Sequence, residues 1–262
     1  MSIFSKKKTT GIAFGGGAAR GLAHIGVIKV LEEYGIKFNL VSGNSAGSII
    51  GAFYAAGYTW KEMYDIAKEL SSSGLFGGLS LKSKGLFKSD KLEAFLKQHL
   101  GDTKIEDLDI PFRCVAVNLY NGELVELSRG PLVRAIRASC SIPGVFAPTT
   151  IDDMLLVDGG IKDSVPGDVI KRMGADFSVA INLNADRGHP SPPKNGFDVF
   201  WSSMKITWNE NAEQRLRDVD VIIAPNLREF TYYDLKHRDA LVERGETATR
   251  GKIEAILQGI GK

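Results

Sequence analysis

Three short stretches of this chain set reactive or charge-stabilising groups among residues small enough to leave them room. Gly43-Asn44-Ser45-Ala46-Gly47 is a G-x-S-x-G sequence between a strand-like run and an apolar, helix-like run. A serine on a tight strand-to-helix turn projects its hydroxyl clear of the backbone, and the kink needs small neighbours at Gly43 and Gly47. The helix expected from Ala46 onward presents unpaired N–H groups and a positive end, which favour developing negative charge. This is the chemistry of a hydroxyl attacking a carbonyl.

The second stretch, Gly15-Gly16-Gly17-Ala18-Ala19-Arg20-Gly21, also joins a strand-like run to a helix-like one. Glycines there let backbone N–H groups face a cleft unobstructed. One such donor on the oxyanion of acyl transfer is worth roughly 2.7–4 kcal/mol. Glycine loops in this position also bind dinucleotide pyrophosphates, but that use calls for a ribose-holding carboxylate at the end of the second strand. Here the second strand ends in Val41-Ser42-Gly43 and runs straight into the serine motif. The third stretch is Val157-Asp158-Gly159-Gly160, a carboxylate closing a strand-like run. Alone, Asp-Gly reads as ordinary turn chemistry.

The elements that must hold these groups alternate between strand and helix. Gly11–Phe14 and Phe38–Ser42 read as strands, and Arg20–Tyr34 and Ala46–Ala56 as helices stopped by Gly35 and Gly57. Thr59-Trp60-Lys61-Glu62 has capping-box spacing, and Ser89 is placed to cap a helix running to Leu100. Arg113–Leu119 and Glu123–Leu127 flank Asn121-Gly122, a strong hairpin signal. Further strands are expected at Met154–Val157, Phe177–Leu183 and Val219–Ala224. The alternation predicts a three-layer α/β/α fold with a mostly parallel central sheet, in one domain over residues 1–262. Ser71–Lys88 and Arg187–Gly196 read as loops.

Composition narrows the setting. The 262 residues are 44% hydrophobic and 24% charged, with a formal net charge of +2. That balance predicts a globular protein whose partner is not a nucleic acid; Lys6-Lys7-Lys8 is too short a basic run to change this. Cys114 and Cys140 have no metal-ligand spacing and read as buried thiols of a reducing compartment. The polar stretch Met1–Lys8 lacks a signal-peptide core, so a cytoplasmic location is expected. Ile49–Tyr58, the longest apolar stretch, is about half the roughly twenty residues of a membrane span, so any membrane contact is expected to be peripheral.

Taken in order, the glycine loop, G-x-S-x-G and D-G-G resemble the patatin-like phospholipase family, and the likeness spans nearly the whole chain. Gly17–Leu31 (GAARGLAHIGVIKVL) resembles the family's first loop and helix, Ala135–Pro148 (AIRASCSIPGVFAP) its middle block, and Leu156–Pro166 (LVDGGIKDSVP) its aspartate block. The resemblance implies a serine lipid acyl hydrolase with Ser45 as nucleophile and Asp158 as general base. It implies an oxyanion loop of Gly15, Gly16 and Gly17, with Arg20 and Gly21 beside it. Gly43, Asn44, Ala46 and Gly47 form the nucleophile elbow, and Gly159 and Gly160 follow the base. No metal or cofactor is implied. The chain departs from the commoner pattern by an extra residue between Gly17 and Arg20. It also has Lys162 and Asp163 where many relatives carry apolar and asparagine residues, and Asn118 where many carry aspartate.

An aspartate of pKa near 3.9 is a weak base for a serine hydroxyl, so a dyad needs burial to raise its basicity. The two side chains are expected within hydrogen-bond reach, at strand ends meeting on one side of a parallel sheet. The competing Ser-Asp-His triad would recruit His237 or His189, but both lie in polar, surface-type segments. His24 reads as a packing or capping residue near the site. A stripe of Phe197, Phe200, Trp201, Met204 and Trp208 at helical spacing reads as core or subunit contact rather than an acyl channel. The expected substrate is a phospholipid, lysophospholipid or related acyl ester. An acyltransferase or thioesterase would share every motif, and a regulatory protein that keeps the fold is the non-enzymatic alternative.

Overall fold

Strand β1 (Thr10–Phe14) is buried along its whole length, as a strand in a sheet covered on both faces must be. The computed structural model describes residues 8–72, 90–186, 192, 196–232 and 235–262. A 3-10 turn, Ala18–Leu22, leads from β1 to α1 (Ala23–Glu33), so the first helix begins three residues later than the sequence suggests. Next come β2 (Leu40–Gly43), α2 (Ala46–Ala55), α3 (Trp60–Ser72) and α4 (Asp90–Leu100). β3 (Phe112–Asn118), β4 (Leu124–Leu127), α5 (Leu132–Ser139), β5 (Thr149–Ile151) and β6 (Met154–Asp158) follow. The remainder is α6 (Gly167–Arg172), β7 (Phe177–Ile181), α7 (Gly196–Arg215), β8 (Val221–Ile223), α8 (Arg238–Arg250) and α9 (Ile253–Ile260).

The strands form one sheet in the order β5-β6-β3-β2-β1-β7-β8, with β4 also paired to β3. β3, β2, β1, β7 and β8 pair in parallel, while β4 and β6 run antiparallel to β3 and β5 antiparallel to β6. Successive side chains of a strand face opposite ways. Thus Ile12 and Phe14 enter the large core with α1 and α2, while Ala13 packs with Ile170 of α6, Ala212 of α7 and Leu216 just beyond it. The mostly parallel, three-layer arrangement matches the expectation.

The capping box forms as expected, and the hairpin differs in one respect. Thr59 and Glu62 exchange the capping-box bonds, the Thr59 N–H donating to the Glu62 carboxylate at 2.7 Å. The hairpin expected around Asn121-Gly122 forms but is one residue wider on each side, because the Asn118 carboxamide accepts the Tyr120 N–H at 3.1 Å and the Asn118 N–H donates to the Glu123 carbonyl at 2.9 Å. This places Asn118 in turn chemistry. The loops expected at Ser71–Lys88 and Arg187–Gly196 fall mostly outside the described residues.

Helices α1 and α8 meet at an unusually close crossing. A methyl at Gly26 would lie 1.9 Å from the Val242 carbonyl, and one at Gly245 would lie 1.9 Å from the Ala23 carbonyl. Both approaches are to backbone atoms, so a side chain could be admitted only by parting α1 from α8. Gly26→Ala is therefore expected to destabilise the fold by about 3 kcal/mol, measured by urea denaturation, whereas a change under about 0.5 kcal/mol would contradict so tight a crossing.

Candidate active site

Ser45 sits at the N-cap of α2 with φ 51° and ψ −123°, in the left-handed half of the map where a non-glycine residue is strained by about 1–3 kcal/mol. The strain is held by close packing of β1 against the turn. A methyl on Gly47 would lie 2.0 Å from the Phe14 carbonyl, and one on Gly43 would lie 2.4 Å from the Gly47 carbonyl. The Asn44 N–H donates to Phe14 at 3.1 Å, fastening the elbow to β1. Ser45 itself is only 6% exposed.

The aspartate reaches the elbow by a route the sequence does not suggest. Cys114 of β3 pairs with Gly43 and also with Leu127 of β4, which must lie on opposite sides of β3. Ala116 and Val117 pair with β4 and also with Asp158 and Val157. Hence β4 occupies one side of β3, while β2 and β6 share the other side end to end. β2 climbs to Gly43, β6 descends antiparallel to Asp158, and the two C-terminal ends face each other across Val115. The expectation of strand ends meeting on one side of a parallel sheet is corrected accordingly.

The last residue of α5 and the buried turn after it grip both ends. The Ser139 hydroxyl accepts the Ser45 N–H at 3.0 Å, and the Ser141 carbonyl accepts the Asp158 N–H at 3.0 Å. Arg137 locks this turn through the Ser141 and Thr149 hydroxyls at 2.6 and 2.9 Å and the Ala147 carbonyl at 2.9 Å.

Asp158 is 4% exposed, and burial raises its pKa to about 6 against the lowering effect of hydrogen bonding from the Ser45 hydroxyl, the Gly160 amide and the Asn44 side chain. The Gly160 N–H donates to the carboxylate at 2.8 Å. Ser45 and Asp158 line a small pocket with Gly16, Gly17 and Trp208, called the polar pocket for the side chains of Asn44, Ser164 and Asn184 on its wall. Ser45 also lines a larger apolar cleft of about 680 Å³, counting its open mouth, walled by Ile49, Ile50, Leu70, Leu92, Phe146 and Tyr232 among others. The hydroxyl-bearing residue is thus common to both.

The glycine loop contributes differently at each residue. The Gly15 amide donates to Ile181 at 3.1 Å and the Gly16 amide to Ser164 at 2.8 Å, so neither is available to a substrate. Ala19 and Arg20 donate to the Tyr232 and Gly17 carbonyls, both at 3.0 Å. Among the described residues no backbone acceptor takes the amides of Gly17, Ala18 or Ala46. Ala18 has φ 47°, a second strained residue at the pocket. Arg20 was expected beside this loop, and its side chain is fully engaged there. Its buried guanidinium donates to the Phe230 carbonyl at 3.1 and 2.9 Å and to Asp186 at 3.1 Å, and it stacks on Tyr232, which makes it a strut for the loop. Gly21 lets the 3-10 turn pack onto Ala46, where a methyl would lie 2.6 Å away.

The histidines sort clearly. His24 is fully buried, with its pKa lowered to about 4 by burial, and its Nε2 lies 2.8 Å from the Gly15 carbonyl. Since a carbonyl only accepts, Nε2 carries the proton and His24 braces the loop. His237 is exposed and contacts the Phe230 ring edge-on; His189 lies outside the described residues. Cys140 borders the apolar cleft, its thiol pushed up to about 12 by burial. Of the α7 stripe, Trp208 reaches the polar pocket, and Met204 packs beside Val145, Trp208 and Tyr232. The side chains of Phe197, Phe200 and Trp201 lie outside those described. Asp163 is fully buried, and burial followed by the neighbouring Asp168 pushes its carboxyl well above the usual range. A neutral aspartic acid can donate as well as accept, as asparagine does.

Comparison with known proteins shows the family and the fold. A sequence profile described as patatin-like phospholipase matches residues 12–169. The chain belongs to the patatin-like phospholipase family. It is 39% identical over 189 residues to an uncharacterised NTE family protein of Mycobacterium tuberculosis, covering 71% of this chain and 52% of that protein. It is 33% identical over 210 residues to a lysophospholipase of Aspergillus fumigatus, covering 77% of this chain but 14% of the fungal one. The chain therefore spans about half the length of the mycobacterial relative. Among solved structures, VipD from Legionella pneumophila superposes with a TM-score of 0.60 at 15% identity, over 95% of this chain and 67% of that one. Human group IVD cytosolic phospholipase A2 gives 0.52 at 11% identity, over 97% and 60%. These two show the shared fold.

The Asp158 carboxyl sets two measurable pH dependences. Only its ionised form accepts a proton, so labelling of Ser45 by a fluorophosphonate is expected to slow as pH falls through about 6. A limb near 4 would mean that Asp158 is not the titrating group. For stability, an acid whose pKa rises on folding keeps an extra proton in the native state between roughly pH 4 and 6, so stability falls as pH climbs through that window. Asp158→Asn lacks this loss. Its advantage in chemical denaturation is expected to open between about pH 4 and 6 and level off at roughly 2–3 kcal/mol above it.

Proposed function

We propose that this chain is a serine lipid acyl hydrolase acting on carboxylic esters of phospholipids, lysophospholipids or related lipids, with Ser45 as nucleophile and Asp158 as general base. The observation that carries this reading is the position of Ser45, shared by an apolar cleft and a polar pocket holding a buried carboxylate of raised pKa. The apolar cleft suits an acyl chain, and the polar pocket suits the reacting ester. The lysophospholipase name carried by the fungal relative supports a lipid ester as substrate.

Asp158 takes the hydroxyl proton as the Ser45 Oγ bonds to the ester carbonyl carbon. The resulting oxyanion is held by the Gly17 and Ala18 amides, with Ala46 at the positive end of α2. Collapse of this intermediate breaks the ester C–O bond, and the departing alcohol takes the proton from Asp158. Water then attacks the acyl-enzyme while Asp158 accepts its proton. The fatty acid departs and Ser45 regains its hydrogen. The pKa near 6 suits this double use, because the group is ionised at neutral pH yet more basic than a free aspartate.

Ser45→Ala and Asp158→Asn are each expected to remove turnover of a p-nitrophenyl acyl ester and of lysophosphatidylcholine by at least about 10³-fold with the fold intact by circular dichroism. His237→Ala should retain the wild-type rate. Turnover surviving in Ser45→Ala would remove the serine from its role, and loss in a folded His237→Ala would point to a triad.

A further inference from the structure

We infer that Asn184 is a positioning residue that aims the oxyanion donor, a role resting on the hydrolase reading above and belonging to a residue beyond the segment matched by the family profile. Asn184 follows β7 and is buried, its own N–H held by the Asn182 carboxamide at 2.9 Å. Its Nδ2 donates to the Gly16 carbonyl at 2.9 Å, and its Oδ1 accepts the Tyr232 hydroxyl at 3.0 Å. A carbonyl can only accept, so the nitrogen faces Gly16 and Tyr232 must donate; the amide has one orientation.

The bond controls a peptide plane. The chain has no cis peptide among its described residues, and in a trans peptide the C=O of one residue and the N–H of the next point opposite ways. By holding the Gly16 carbonyl, Asn184, itself on the wall of the pocket that Gly17 shares with Ser45 and Asp158, fixes the opposite direction for the Gly17 N–H, an amide that no backbone acceptor takes among the described residues. A Gly-Gly peptide resists rotation least, because neither residue has a side chain to restrict its torsions. Were it to rotate, a carbonyl would face the oxyanion where a donor is needed. Tyr232 completes the brace. Its carbonyl accepts the Ala19 N–H at 3.0 Å and its ring lies 4.5 Å under the Arg20 guanidinium, so a single residue ties the carboxamide to the loop it orients.

The test compares wild type, Asn184→Leu and Tyr232→Phe, using hydrolysis of a medium-chain p-nitrophenyl ester, fluorophosphonate labelling of Ser45, and the thermal midpoint. Asn184→Leu is expected to lower kcat and the labelling rate together by roughly 10- to 100-fold with KM within about twofold, because the donor acts on the transition state. Tyr232→Phe, which leaves the amide in place but unbraced, should move the same two quantities in the same direction by less. Wild-type kcat in folded Asn184→Leu, or a loss confined to KM, overturns the inference. If Asn184→Leu does not fold, unchanged kcat in Tyr232→Phe overturns it. Wild-type protein with neither turnover nor labelling at Ser45 instead overturns the hydrolase reading, and this inference with it.

Discussion

Everything at the site depends on two strands brought end to end beside a third. β2 and β6 share one side of β3, and neither can lengthen without colliding with the other. Their meeting leaves only the width of Val115 for a nucleophile turn and a carboxylate. The chain answers with a strained serine on one strand end and a D-G-G bend on the other. Gly159 is needed there because a methyl would lie 2.6 Å from the Val115 carbonyl. The end of α5 and the turn after it then hold the backbone N–H of both residues, so the relative placement of Ser45 and Asp158 is set by backbone bonds as well as by side-chain packing.

Burial at that junction has opposite effects on stability and reactivity. A carboxylate enclosed at the end of β6 is costly to ionise, and the same cost gives it basicity. The surrounding fold offsets this with close apolar packing on both sheet faces and with buried polar groups tied to their partners, including Arg137 and Arg20. Asp163 follows the same logic with a different outcome: buried beside another carboxylate, it is best accommodated as the neutral acid.

Much of the site was legible in the residues because its geometry is local. Gly43 and Gly47 around Ser45, and the glycines after Asp158, report tight backbone approaches that only small residues permit. Sheet direction at β6 was not legible, since Met154–Asp158 reads the same in either orientation and only pairing with β3 decides it. The donor assignment failed at Gly15 and Gly16 for a similar reason. Their amides are taken by carbonyls of Ile181 and Ser164, which no local pattern brings near. Ser139, Asn184, Trp208 and Tyr232 were missed or given only packing roles because each arrives from a distant segment. The nearest available signal was Ser139 itself, inside the Ser139-Cys140-Ser141 run of the middle block, where no spacing ties it to Ser45.

The place of Ser45 between two differently lined cavities has a consequence for traffic. On the acyl-enzyme reading, the chain half of a lipid stays sheltered among Ile49, Leu92 and Phe146 while the head-group alcohol leaves from the polar side. The first product can then depart without dragging hydrocarbon through water, and the second can leave only by giving up its apolar berth. Exit of the fatty acid becomes the slow, sticky event, and a membrane or carrier able to receive it would set the working pace.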